Sequence, residues 1–548
     1  MLLELLLIPC LFISFSGWGA WANMLLRNKT ESFSLTVTLG LAFFSIWVGL
    51  LSFFTPLTFY VETVLLILSV IPFLFKKLRV YTFLFPKALL KSGWFWFFCI
   101  IVIFAGTFYP FRPDHFYYYE PTLRWLNRYG LVIGVANIDW LLGQMSVFHI
   151  LQAGLDQTLD LFERINSFIA ILFLIYIYER KAYWLLLVIP FYFLFIQAPS
   201  PDVAIVFLSL MVVNELCFYY RVDNYKTVLI ISVFTFAIKP VAFWLPLWVF
   251  IAGLFLNKKE LKDYRLYLIP ALIVVLFLIK NAIVSSTLFY PVSFTKLNTY
   301  WLPDLRILEL SDQKASMLTF NHLFTENEIT GMTFFRELYY WLTISKLQTI
   351  INCAILVTIL AFSVFSIIKK DRLYLLLGII IVVKTALIFS FSGQYRFLLD
   401  GLYPLLFLMV SPIRIGRTKI QMAGLFLSFF FLVLISYPPL LKRAIPDFKL
   451  TAWMNGFKKE TLLIPGRYVV ENYAKETIGN LDFYISSTPY TFDTPPPAFS
   501  QKGLLFYREL GIFPQWKDST YIRSGFYMKT LTTEEKEKLE GILETYFP

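Results

Sequence analysis

The sequence predicts an all-α polytopic membrane protein of about 14 transmembrane segments, closed by a small α+β domain at the C-terminus. Three observations predict it. First, 58% of the 548 residues are hydrophobic and only 15% are charged, against roughly 45–50% and about 25% in soluble domains. Second, mean hydropathy is +0.67, and the apolar residues gather into runs of near-span length. Third, the composition turns polar after about residue 438. With 59 Phe and 32 Tyr the chain is the opposite of a disordered composition.

Each element follows from an apolar run of about 20 residues, or a shorter one where helices pair as half-spans. The N-terminus, MLLELLLIPCLFISFSGWGAWAN, lacks a basic n-region and a small-residue cleavage site, so residues 3–23 read as a retained first span. The next spans are expected at 33–52 and 60–76, making residues 1–90 an N-terminal addition of three spans. A core over 91–437 then takes spans at 92–109, 161–178, 182–196, 203–220, 227–239, 240–256, 266–289, 349–368, 373–390, 397–411 and 421–437. Between them lie two larger loops. Residues 110–160 are amphipathic, with a short helix expected at 143–158, and residues 290–348 form the second loop. Residues 438–548 form the terminal domain, with TPYTFDTPPPAFS at 488–500 and an acidic helical run, TTEEKEKLE, at 532–540. No internal repeat is visible.

The formal charge of +12 would suggest nucleic acid in a soluble protein. Here the excess sits in short loops: Arg27/Lys29, Lys76/Lys77/Arg79/Lys87/Lys91, Arg180/Lys181, Arg221/Lys226, Lys258/Lys259/Lys262/Arg265, Lys369/Lys370/Arg372 and Arg414/Arg417/Lys419. With alternating spans all of these loops share one side, which the positive-inside rule makes cytoplasmic. Both termini and the two long loops then lie outside, and no nucleic-acid partner is expected. Cys10, Cys99, Cys217 and Cys353 fall inside apolar segments at no metal-ligand spacing, so neither a disulfide framework nor a zinc site is expected.

Ionisable residues that interrupt apolar segments are functional by default. The expected topology puts several at one outer boundary: Asp114 in DHFYYYEPTLRW, Asp202 in APSPD, Lys239 in IKP, Lys280 in LIKNAIVSSTLFYP and Arg396 in SGQYRF. A carboxylate can act as general base on a hydroxyl or amine. Lys and Arg can hold a phosphate leaving group. With three histidines in the chain, histidine-based catalysis is disfavoured. Plainer roles stand beside these. Asp114 and Asp202 can cap helix starts, Lys239 and Lys280 can snorkel, and the tyrosines around 117–125 can form an interfacial aromatic belt. Glu120 falls nearly opposite Asp114 on an α-helix, which argues against a tight acidic dyad.

These stretches resemble the motifs of the GT-C superfamily of multi-spanning glycosyltransferases, especially bacterial members with a D-x-x-x-Y-H-x-x-x-x-K-W first-loop pattern. Asp114, Tyr118, Arg124 and Trp125 match that pattern or replace it conservatively, and Tyr119 stands where those members have His. APSPD resembles their second acidic motif and IKP their intramembrane Lys turn. LIKNAIVSSTLFYP resembles an R-N-x-x-x-S-G-x-x-x-Y-P segment, and TYWLP and QYRF two later motifs. Together they run in order from about 92 to 400. Three extra spans, residues 1–90, come before the span that leads into the acidic loop, where the superfamily usually has that one span alone.

The resemblance implies transfer of a sugar from a polyprenyl-phosphate donor to a glycan, lipid or protein acceptor, at the outer face of a bacterial cytoplasmic membrane. Asp114 would be the base. Asp202, Lys239, Lys280, Arg396, Tyr118, Tyr119 and Arg124 would bind substrate. Some members use a divalent metal on acidic residues, which convergent Asp114 and Asp202 would allow. The competing expectations are a polysaccharide polymerase or ligase, which would depend on paired loop arginines, and a flippase. A flippase would carry polar residues near the midplane rather than at one boundary.

Overall fold

A computed structural model describes residues 1–28, 32–79, 85–220, 222–256, 260–444 and 454–547. Its apolar helices are, in order, α1 (Leu2–Leu26), α2 (Phe33–Ser52), α3 (Phe59–Leu74), α4 (Gly93–Gly106), α5 (Ile165–Arg180), α6 (Pro201–Phe218), α7 (Val222–Ile238), α8 (Trp244–Leu256), α9 (Arg265–Ser285), α10 (Lys346–Lys369), α11 (Arg372–Ser392), α12 (Leu399–Val410) and α13 (Arg417–Ser436). Among the described residues 7 of them, namely α1, α2, α6, α9, α10, α11 and α13, are long and apolar enough to cross a membrane. The protein is therefore polytopic, with about half of the expected 14 spans meeting that length. Helix α6 is apolar all round and 89% buried over its most apolar stretch, as a central helix must be. Helices α10 and α11 instead expose rows of Ile, Val and Leu, among them Val364, Ile368 and Ile379, to what must be lipid.

The stretch expected as a span at 182–196 is not an α-helix. It forms two 3₁₀ segments, Tyr183–Leu187 and Ile189–Tyr192. Pro190 carries no N–H, and crowded aromatic residues disfavour a regular helix here. The segment nevertheless returns along α5. It starts where the Arg417 guanidinium lies 4.7 Å over Tyr183, and it ends where the Gln197 and Ala198 carbonyls accept from Arg164 and Asn166 at 2.6 Å each.

Short contacts gather the basic loops at one end of the bundle. Asn28 donates to Thr227 at 3.0 Å, Lys226 pairs with Asp263 at 2.8 Å, and Phe33 meets Phe85 at 5.5 Å. Lys29, Arg221, Lys258 and Lys259 lie outside the described residues. Asp202 lies in the first turn of α6 and Phe218 ends it, so the 18-residue helix separates the basic end from the acidic one by roughly 27 Å.

Residues 1–90 share the main hydrophobic core with the rest of the bundle. Phe12 and Phe15 of α1 pack on Phe168 of α5 at 4.6 and 5.2 Å. Helices α1 and α2 touch backbone to backbone, because a Cβ on Gly40 would lie 1.8 Å from the Phe15 carbonyl oxygen. Small residues permit such close approach in apolar surroundings.

The C-terminal region carries a three-stranded sheet and a two-stranded one. Strand β1 (Tyr473–Ile478) pairs antiparallel with β2 (Leu481–Ser486), which pairs parallel with β3 (Ala498–Phe499). Strand β4 (Ile512–Trp516) pairs antiparallel with β5 (Phe526–Thr530). Phe483, Phe499, Tyr507 and Phe513 pack between the sheets and the helix Gln501–Leu510. The acidic run is helical over Thr533–Tyr546, opening on a capping box between Thr532 and Glu535. This region sits on loop 110–160: Tyr507 Oη donates to the Asn137 carbonyl at 2.8 Å, and Phe526 meets Trp125 at 5.7 Å.

Candidate functional site

Four of the expected residues come together at the end of the bundle opposite the basic loops. Asp114 leaves α4 just ahead of a π-helical turn, His115–Tyr119. It makes no side-chain cap bond to that turn. Its Oδ2 instead accepts from Arg396 NH1 at 3.1 Å, with Arg112 NH2 at 3.9 Å. Arg396 lies in the 3₁₀ turn Tyr395–Phe397 and is held by Gln394, which accepts from its Nε at 3.1 Å. Lys239 stands at the break where Pro240, lacking an N–H, ends α7. Its ammonium is paired with Asp202 Oδ1, from the first turn of α6.

One ring ties the two ion pairs into a single site. Lys239 Nζ lies 4.7 Å and Arg396 Cζ 5.0 Å from the Phe397 ring centroid, so the two cations are within about 10 Å of each other. The pairs are partly open, with side-chain exposures of 26% for Asp114, 29% for Arg396 and 20% for Lys239. The Asp114–Arg396 pair borders a cleft of about 260 Å³ lined by Arg112, Asp114, Asn321, Gln348, Gln394 and Arg396, and the Lys239–Asp202 pair stands beside Phe397, outside that lining. Loop 290–348 supplies its far wall through Asn321 and through Ser345 and Leu347. Each of the two carboxylates holds its own cation, Asp114 the Arg396 guanidinium and Asp202 the Lys239 ammonium.

The remaining expected residues stand apart from the cleft. Lys280 is 3% exposed and donates to the Met145 carbonyl and to Asn281 Oδ1, with its ammonium 5.2 Å from the Phe277 ring centroid. It is a buried strut between α9 and loop 110–160, where the sequence suggested a phosphate ligand. Tyr119 is buried and Tyr118 half-buried behind Asp114. Their rings meet each other at 4.6 Å and His149 at 4.8 and 5.8 Å respectively.

Arg124 belongs to a second, deeper cluster. Its guanidinium donates to Glu120 Oε1 at 2.7 Å and Glu163 Oε1 at 3.4 Å, and lies 3.8 Å from Asp156 Oδ2. Arg467, from the segment leading into the C-terminal sheet, reaches Glu120 Oε1 at 3.0 Å. The other oxygens of the two glutamates flank His115, with Glu120 Oε2 at 3.5 Å from Nε2 and Glu163 Oε2 at 3.8 Å from Nδ1. One ligand atom from each of these three residues lies within 4.8 Å of the others, so the set can hold a divalent metal. Burial, and then each other's charge or that of Asp156, push the Glu120 and Glu163 carboxyls above the usual carboxylate range.

Reading residues 114–125 as a plain α-helix hides this cluster. The signal is Pro121. A proline ring clashes with the carbonyl four residues back and cannot donate to it, and the turn before it widens until the Glu120 amide donates to His115 O. In an α-helix residues five apart diverge by about 140°. A π-turn of about 4.4 residues brings them to roughly 50°, so His115 and Glu120 face the same way.

The chain belongs to the family described as a domain of unknown function (DUF8201), which it matches over residues 1–403. That span takes in α1–α3 together with every residue of the ion-paired cleft. No curated protein and no solved structure matches the chain.

Proposed function

We propose that this DUF8201 chain is a membrane glycosyltransferase of the GT-C kind, using a polyprenyl-phosphate-linked sugar as donor. The observation that carries the reading is the approach of two ion pairs, Asp114–Arg396 on a polar cleft and Asp202–Lys239 beside it, whose cations share the Phe397 ring, from positions up to 282 residues apart. In this reading the basic end is cytoplasmic by the positive-inside rule, and the cleft, both termini and the terminal domain belong to the outer face of a bacterial cytoplasmic membrane. A lipid-linked phosphate enters at that depth.

The chemistry follows from the pairing. The donor's phosphodiester, with its single negative charge, competes for Arg396 and Lys239, and charge-assisted bonds to phosphate oxygens replace those to Asp114 and Asp202. Asp114, released from its guanidinium, accepts the proton of the acceptor hydroxyl. The hydroxyl oxygen then bonds to the anomeric carbon as the bond from that carbon to the phosphate oxygen breaks. The electron pair leaves with the phosphate, where Arg396, Lys239 and Arg112 meet the developing charge. In this scheme the cations bind the donor and the carboxylate serves turnover.

The test is a panel of short-chain polyprenyl-phosphate sugars offered to the full chain in detergent, read both as donor binding and as release of polyprenyl phosphate. Lys239→Ala and Arg396→Ala should each weaken donor binding at least ~10-fold. Asp114→Asn should slow turnover by ~100-fold or more with binding kept within a few-fold. An Asp114→Asn enzyme turning over at the wild-type rate rules the mechanism out. Failure of every donor in the panel to bind rules out the substrate class.

A further inference from the structure

We infer that His115, Glu120 and Glu163 form a binding site for one first-row divalent metal ion, of which zinc is the natural probe, behind the cleft and separate from it. The ligand types come first. One imidazole and two carboxylates make a mixed nitrogen and oxygen set, which suits zinc or a similar ion and is poor for magnesium or calcium. The three residues are nearly sealed from solvent, at 4%, 1% and 2% exposure.

Two buried polar atoms of this set, 3.8 Å apart, find no hydrogen bond. They are His115 Nδ1 and Glu163 Oε2. Buried polar atoms are nearly always satisfied, so each such orphan needs an explanation. Glu120, Glu163 and Asp156 surround the half-buried guanidinium of Arg124, with Arg467 on Glu120 and the buried Arg164 acting on both glutamates from further off. A divalent cation would take both orphans at once.

The geometry needs little adjustment. Ligand atoms up to 4.8 Å apart close onto a metal at about 2.0–2.2 Å through side-chain shifts of roughly 1 Å. Arg124 and Arg467 already hold Oε1 of Glu120, and Arg124 that of Glu163. Both carboxylates thereby keep Oε2 turned toward His115, the orienting role that outer-shell partners play around metals. Two backbone departures bring the ligands there: the π-turn that aligns His115 with Glu120, and the left-handed conformation of Glu163, φ 61°. Asp114 is the residue before His115. A bound ion would fix the turn from which Asp114 reaches into the cleft, as a structural ion outside the reacting atoms.

The experiment needs no sugar substrate, so its outcome is independent of the transfer reading. The full chain in detergent is stripped with a chelator, reloaded with zinc, desalted and measured for metal per chain. The expected result is one zinc per chain, with His115→Gln and Glu163→Gln each lowering zinc affinity at least ~10-fold while Asp202→Asn leaves it unchanged. Zinc-edge X-ray absorption on the wild-type chain keeps the test independent of variant folding. One imidazole in an otherwise oxygen shell is expected. Less than ~0.2 zinc per chain, retention unaffected by both ligand variants, loss on Asp202→Asn, or a shell without imidazole each overturns the assignment.

Discussion

Beneath the cleft, α11 and α12 bury a complete ion pair. Lys384 and Asp400 are 1% and 0% exposed and bonded to each other, and Trp244 Nε1 donates to the second carboxylate oxygen at 2.7 Å. Neither charge has a route to water, so each depends on the other. Removing one partner of a buried pair costs about 3–5 kcal/mol, because the survivor stays buried and uncompensated. Lys384→Met leaves Asp400 with the indole N–H alone, and belongs at the upper end of that range. Asp400→Asn keeps an acceptor for Trp244 but strands the ammonium, at about 3–4 kcal/mol. The double variant strands neither charge and should cost no more than about 2 kcal/mol, so the cycle should show a coupling of at least ~3 kcal/mol. Unfolding titrations of the 4 proteins in one mixed-micelle system measure it, with tryptophan fluorescence as the signal. A Lys384→Met variant within ~1 kcal/mol of wild type, or two single effects that simply add, would refute the claim that the pair is sealed.

Two further outcomes follow from loop 110–160 and from the first helical pair. Burial, reinforced by the charge of Lys280, lowers His149 to about 3 from an ordinary 6.5. The folded state therefore excludes a proton that the unfolded chain binds below pH 6.5. Its stabilisation is complete above pH 6.5 and shrinks as pH falls toward 3, by about 2 kcal/mol at pH 5 as an order of magnitude. His149→Gln should flatten the stability profile between pH 7 and 5, and an unchanged slope would refute this. At α1 and α2, Gly40→Ala forces a methyl group into the Phe15 carbonyl and should cost ~3 kcal/mol or more. Gly49→Ala, on the same helix with open space around it, should be neutral or slightly stabilising. Equal melting shifts for the two would contradict the packing.

The acidic and basic residues of the cleft were legible because a topology of apolar runs fixes the depth at which a residue sits. Asp114, Asp202, Lys239 and Arg396 all interrupt or flank such runs at one boundary, and depth alone brought them into one neighbourhood. Depth does not give azimuth. Lys280 and Arg124 share that boundary but turn away, into the Met145 carbonyl and the Glu120–Glu163 cluster. Span counting failed in a related way at 182–196. Hydropathy reports an apolar path through the bundle, whereas the 3₁₀ form of that path depends on Pro190 and on the neighbours it packs against. The His115 cluster was least legible of all, because a single widened turn rotates one face of the loop relative to the other. Arg467 reaches that cluster from 347 residues down the chain, a distance no local pattern encodes.

That separation also sets an order of assembly. Tyr507 docks on the Asn137 carbonyl across 370 residues. At about 5–20 residues per second, synthesis leaves the first long loop without its cover for roughly 20–70 s. For most of that interval Glu120 lacks its Arg467 partner, and nothing from the last sheets lies over the loop. The loop must wait in an open form while the later helices insert. Truncated chains, or chains stalled before residue 467, would carry this acidic surface uncovered into the quality-control machinery of the membrane.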